Sequence, residues 1–256
     1  MTLAAPGRVV APAAIVRAQV LSTAPVRAMI RAMDVHQLRP ATTSAVPTRD
    51  EAQAIARELL GDQGTRLAHV HTAGAMAARL GLLFDAEQAA LLVAAATLHD
   101  IGYSPRIAWS GFHPLDGALH LRALGLPERL CSLVAHHSEA GMLAVQQGVL
   151  DLDVQFSRER SLLADALVYA DMHAAPDGRV IRAEHRLADI ARRRPDPVEA
   201  VRAQRLRAAM ARVGAALAAH DEQLSGAARI DLPGPRDPQG GSWWRAEVHL
   251  TIALGE

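Results

Sequence analysis

The segment from Ala86 to His99, AEQAALLVAAATLH, is apolar on nearly every face of a helix. Such a helix is stable only when neighbours surround it, so it belongs in the middle of a bundle. His99-Asp100 closes the segment and Gly102 stops it. A carboxylate at the end of a buried helix is costly unless something compensates its charge. A divalent cation is one such partner, and an arginine is the other. The remaining composition agrees with a helical surround. Half of the residues are hydrophobic and only 3% are aromatic. An Ala- and Leu-rich interior with few rings favours packed helices over sheet, so the fold class is all-α.

Helical patterns recur along the chain. Asp50 is placed to cap a helix running through Leu60, with Gly61 and Gly64 ending it. Leu67, Val70, Ala73, Ala77 and Leu80 share one face of the next helix. Asp85 caps the apolar segment. Further helices are expected over 114–124, from Pro127 through His137, around 139–147, over 158–172, over 180–194 and over 197–220. Residues 103–112, with Pro105 and Gly111, read as a loop. Residues 1–48 are rich in Ala, Pro and Val and read as an extension or linker, leaving 49–222 as the helical domain. Residues 223–256 form a tail. Its prolines and glycines mark a linker, and the alternation of Ala246, Val248, Leu250, Ile252 and Leu254 reads as a short β-strand.

Composition also excludes chemistries. All 27 basic residues are Arg, so there is no P-loop, Schiff-base or kinase-type lysine. No Gly-x-Ser-x-Gly elbow is present. Zero formal net charge gives no bulk case for nucleic acid or an anionic membrane. No run approaches the ~20 apolar residues of a membrane span. The single Cys131 excludes an intrachain disulfide, reads as a buried structural thiol, and fits a reducing, cytoplasmic setting.

Seven histidines lie between positions 69 and 137: His69, His71, His99, His113, His120, His136 and His137. A lone histidine on a helix is usually just a polar residue. Here they fall at element ends and beside acids, and a mixed nitrogen–oxygen set suits Zn, Mn or Fe better than Ca. RLAHV (66–70), TLHDIG (97–102) and LVYADMHAAPDG (167–178) together resemble the signature of the HD-domain superfamily of metal-dependent phosphohydrolases. That signature is a His, an HD pair about thirty residues on, and a distant Asp, each on its own helix. The resemblance implies an HD-type helical bundle. It implies His69, His99, Asp100 and Asp171 as ligands of a first metal, with Asp100 able to bridge to a second. FHPLDG (112–117) and VAHHSEA (134–140) are similar to the additional histidine motifs of two-metal HD proteins. They imply His113 and one or both of His136 and His137 at the second ion. Adjacent residues do not share a helix face, so one of the pair can point elsewhere, and His137 is the favoured ligand. Asp165, six residues before Asp171 and roughly on its face, is the rival last ligand. His71 and His120 have no match and read as surface or supporting groups.

The resemblance implies one or two divalent ions (Mn, Fe, Zn, Co or Mg), catalytic roles for Asp100 and His113, and a small phosphorylated substrate. Arg66, Arg106 and Arg122 lie near the motifs as phosphate contacts or as solvated surface charges. Tyr103, Trp109 and Phe112 are placed to stack a nucleobase or to plug the core. The acid pair after HD of alarmone hydrolases is missing, as is the Gly-Tyr-Pro segment of cyclic-dinucleotide phosphodiesterases. No nucleic-acid or membrane partner is expected, and an oligomer is compatible with the sequence. A regulatory module that binds metal or nucleotide without turnover, and an HD-fold di-iron oxygenase, remain as alternatives.

Overall fold

The computed structural model describes residues 45–149 and 151–225. Ten α-helices occupy them: α1 (Arg49–Leu60), α2 (Gly64–Leu80), α3 (Ala86–Leu98), α4 (His113–Ala123), α5 (Glu128–His136), α6 (Ala140–Gln146), α7 (Leu152–Gln155), α8 (Leu162–Met172), α9 (Ala183–Arg193) and α10 (Pro197–Ser225). The fold is all-α. The expected strand over 246–254 lies outside the described residues, as does most of the N-terminal extension.

Helix α3 takes the central position that its sequence demands. Leu91, Leu92 and every residue from Ala94 to Leu98 are buried, and α1, α2, α5 and α8 pack around it. Asp85 caps it by accepting from the Gln88 amide at 2.8 Å. Alanines and glycines on its neighbours let the backbones come close. A Cβ on Gly74 of α2 would meet the Thr97 hydroxyl of α3 at 2.4 Å. Leu92, Leu98 and Leu121 are fully buried, each worth roughly 1.5–3 kcal/mol of transfer free energy. Cys131 is buried in the same core, and burial pushes its thiol up to about 12, which leaves it unreactive.

Several element ends differ from their sequence readings, each for a local reason. Thr48, not Asp50, caps α1. Its hydroxyl accepts from the Glu51 amide at 3.3 Å, and Glu51 Oε2 accepts from the Thr48 amide at 2.7 Å. That reciprocal pair is a capping box. Helix α8 starts at Leu162 rather than Arg158, because the Ser161 hydroxyl accepts from the Ala164 amide at 3.2 Å. The single turn α7 was not expected.

Helix α5 ends at His136, and residues 137–139 form a 3-10 turn. Ser138 and Glu139 there take positive φ of 49° and 60°. Non-glycine residues rarely hold that conformation unless their surroundings over-determine it. Arg202 Nε donates to the Ser138 carbonyl at 2.8 Å, and Arg158 donates to the Glu139 carboxylate at 2.5 Å.

After Asp100 the chain enters a second 3-10 turn, Ile101–Tyr103, which packs on α4. Gly102 makes that contact possible. A Cβ there would stand 1.9 Å from the His113 carbonyl oxygen and 2.7 Å from the Gly117 amide nitrogen. Both obstacles are backbone, so neither can swing aside. Gly102→Ala is therefore expected to destabilise the protein by roughly 3 kcal/mol in urea unfolding. Gly64→Ala, where a Cβ meets nothing within 4 Å, is expected to stay within about 0.5 kcal/mol of the parent.

Candidate metal centre

Six side chains from five parts of the chain converge beside the end of α3. His69 comes from the middle of α2, and His99 and Asp100 from the exit of α3. His113 opens α4, His137 begins the turn after α5, and Asp171 sits near the end of α8. All but His113 are buried, and the His113 side chain is 20% exposed.

Asp100 is the hub. Its Oδ2 lies 3.5 Å from both His69 Nε2 and His99 Nε2. Its Oδ1 lies 3.3 Å from His113 Nε2 and 3.6 Å from His137 Nε2. One carboxylate thus offers one oxygen to each of two histidine pairs. Asp171 Oδ1 completes the first group, at 3.2 Å from His69 Nε2 and 3.6 Å from His99 Nε2. Metal–ligand bonds of about 2.0–2.2 Å place tetrahedral ligand atoms roughly 3.4 Å apart. The spacing of these donors matches that edge length.

Backbone carbonyls fix how three of the imidazoles are protonated. His69 Nδ1 donates to the carbonyls of Ala174 and Ala175 at 3.1 and 3.3 Å. His99 Nδ1 donates to Ala96 at 2.8 Å and His137 Nδ1 to Val134 at 2.7 Å. A carbonyl only accepts, so each of these Nδ1 atoms carries its proton and each ring turns its Nε2 inward, where a metal ion would take the place of a second proton. His69 Nε2 and His99 Nε2 then meet at 3.2 Å. Two lone pairs at that distance repel unless a cation or a proton lies between them. Nitrogen and carboxylate donors turned inward, with their outer atoms held by the backbone, fit a divalent ion. His69, His99, Asp171 and Asp100 Oδ2 would hold a first ion, with His113, His137 and Asp100 Oδ1 facing a second.

Without a metal, the same carboxylates attract a proton instead. Burial opposes charge on His99, but the carboxylates of Asp100 and Asp171 outweigh it and raise the imidazole to about 9. Burial also opposes charge on Asp100 and Asp171. The surrounding imidazoles overcome it and hold both carboxyls well below their usual range. His137 is pushed down to about 3 by burial and by the charges of His99 and His113, so it stays a neutral donor.

Around this cluster, Arg66 Nη1 donates to Asp100 Oδ2 at 2.5 Å, and its guanidinium lies 4.1 Å above the Tyr103 ring. Both expected partners of a buried Asp100 are thus built in, the arginine and the donor set for a cation. Tyr103 in turn stacks on the His113 ring at 3.8 Å. The Ser138 hydroxyl donates to Asp171 Oδ2. Nothing in the sequence singled out Ser138, because its role depends on the left-handed turn that aims it at α8.

Other sequence candidates lie elsewhere. His136 does not reach the cluster. Its Nε2 donates to the Phe156 carbonyl at 2.7 Å, because the helix turns adjacent residues to different faces. Asp165 is bound by Arg212 at 2.7 and 2.8 Å. Six residues advance a helix to about 120° from the starting face, so Asp165 and Asp171 do not share one. Arg106 pairs with Glu58, and Arg122 pairs with Glu128 while lying over the Phe156 ring. Phe112 is core at 2% exposure, whereas Trp109 is 40% exposed. His71 and His120 are half-buried and take no part.

The HD domain family model matches residues 66–206 of the chain. No curated protein and no solved structure matches it. Among the described residues, no helix is long and apolar enough to cross a membrane.

Two outcomes follow from this geometry. His137→Ala is expected to weaken divalent-metal binding by at least about tenfold in calorimetric titration. His136→Ala is expected to leave it within about twofold. The second concerns pH. An imidazole raised from 6.5 to about 9 stabilises the metal-free fold fully below pH 6.5, and that contribution is lost as pH rises through about 9. Chelator-treated protein should therefore lose melting temperature between pH 6.5 and 9, and added divalent metal should restore it.

Proposed function

The chain belongs to the HD-domain family of metal-dependent phosphohydrolases, and on that premise we propose that it hydrolyses a phosphate ester of a small molecule with a metal-activated water. The observation that carries this reading is the divided Asp100 carboxylate, with one oxygen toward His69 and His99 and the other toward His113 and His137. When bound, a divalent ion at such a site lowers the pKa of water towards neutrality and offsets charge on phosphoryl oxygens.

The chain's own residues supply the rest. Carbonyl-locked imidazoles keep their Nε2 atoms aimed inward without reorganising during the reaction. Ser138 fixes the outer oxygen of Asp171. Arg66 is 26% exposed at its side chain, so it borders both the buried carboxylate and solvent. A guanidinium there can turn from Asp100 to a phosphoryl oxygen and orient the ester. Tyr103 steadies both Arg66 and His113 by stacking. Burial and the Asp100 charge raise its phenol to about 12, so at neutral pH it is a hydrogen-bond donor. Exposed Trp109, on the loop between the two histidine motifs, suits a nucleobase and places nucleotides among the first substrates to test. The helical domain, taken as residues 49–222, would carry this activity in the cytoplasm, without nucleic acid or membrane as partner.

The test is metal analysis of the purified protein followed by a screen of phosphorylated compounds with and without chelator. Hydrolysis of at least one ester is expected, stopped by chelator and restored by metal. Asp100→Ala should lower kcat by about 1000-fold or more, and Arg66→Ala should lower kcat/KM by roughly 100-fold with metal content unchanged. A metal-loaded protein inert towards the whole panel would mean a binding module instead. A coloured, iron-loaded protein that consumes oxygen would mean a di-iron oxygenase.

A further inference from the structure

We propose that the half-open cavity between α5, the turn 137–139, α8 and α10 is a second ligand site, one that binds a phosphate group independently of the metal centre. The cavity holds about 630 Å³, within the range of small-molecule sites. Of the six converging ligand residues, only His137 contributes to its lining. Leu133, Leu167 and Val168 give it an apolar wall, and four arginines, Arg158, Arg160, Arg205 and Arg212, line it as well.

The charges there do not balance. Arg158 and Arg205 both point at the one carboxylate of Glu139, at 2.5 and 3.4 Å. Arg212 is taken by Asp165 at 2.7 Å. Glu159 is taken by Arg129 at 2.8 Å. Arg160 lines the cavity with no ion pair among the described residues. With Glu159 paired to Arg129 from outside the lining, Arg158, Arg160, Arg205 and Arg212 are set against Glu139 and Asp165, which leaves two positive charges uncompensated. The start of α8 adds to this field. Ser161 and Leu162 line the cavity. The first amides of a helix have no intrahelical acceptor, and its N-terminal dipole favours an anion.

Glu139 shows what the site accepts. It holds a left-handed backbone, φ 60°, with its carboxylate between two guanidiniums. The protein's own anion occupies part of the site. A phosphate dianion offers more acceptor oxygens than a carboxylate and matches guanidinium forks. Phosphate therefore competes with Glu139 for Arg158 and Arg205, and Arg160 is the arginine free to join them. The turn that carries Glu139 into the cavity also carries His137 and Ser138 to the metal centre, so the two sites share three consecutive residues of backbone.

The experiment is calorimetric titration of the full chain, freed of metal by chelator, with inorganic phosphate and separately with adenosine monophosphate. Binding without metal is expected for at least one. Tighter binding of the monophosphate would identify a phosphorylated metabolite as the natural occupant, and tighter binding of phosphate a free anion. Arg160→Glu should weaken binding at least tenfold, and Glu139→Gln should tighten it several-fold by freeing two arginines. Binding that appears only with metal present, no binding at all, or affinities unmoved by both substitutions would overturn the proposal. Arg160 is exposed and unpaired, so Arg160→Glu and Arg160→Ala decide the matter alone if Glu139→Gln lowers the melting temperature. Because chelated protein is used, the result does not depend on whether the metal centre hydrolyses esters.

Discussion

A single carboxylate, Asp100, sits 3% exposed at the end of a helix with no polar face of its own. Desolvating such a group is expensive, and the surrounding structure is organised to offset it. Imidazoles from α2, α3, α4 and the turn after α5 are turned towards it, and Arg66 reaches it from the edge. Each imidazole of known orientation is pinned from behind by a backbone carbonyl, so helix geometry rather than side-chain entropy sets where the nitrogens lie. The same burial that makes the carboxylate costly also limits bulk water around it, which strengthens the interactions made there.

Small residues make this convergence possible. Gly102 lets the turn after Asp100 lie directly on the first turn of α4, which brings His113 to the carboxylate. Gly74 allows α2 to close on α3, which brings His69 to His99. The bridge between Ala174 and Val180 folds the chain back after α8, and the Thr72 hydroxyl donates to the Gly178 carbonyl at 2.6 Å. That fold-back presents the Ala174 and Ala175 carbonyls to His69. At the turn 137–139 no glycine is used, and the structure holds two residues in left-handed backbone with a buried hydrogen bond from Arg202 to the Ser138 carbonyl and the Arg158–Glu139 ion pair instead. Strain is concentrated where a ligand and its supporting hydroxyl must both face inward.

Much of this was legible along the chain. The apolar sequence of α3 has only one stable place in a helical bundle, and α3 is there. Asp85 and the glycines after α2 and α4 marked true helix boundaries. The errors were local. Thr48 outcompeted Asp50 as a cap because Glu51 returns its hydrogen bond, and Ser161 set the start of α8 in place of Arg158. Asp165 and Asp171 look interchangeable as letters, but 3.6 residues per turn put them on different faces, one towards Arg212 and one towards the histidines.

The sequence by itself determined that the chain is helical, which helix is central, and which histidines and aspartates carry the HD signature, because periodicity and residue chemistry are local properties. Only the tertiary structure decided that His136 turns to the Phe156 carbonyl, that Arg66 alone among three candidate arginines touches Asp100, and that Ser138 and Tyr103 support the site. Those outcomes depend on backbone turns and on distances between residues remote in the chain. Such distances exist only once apolar burial has packed the helices together.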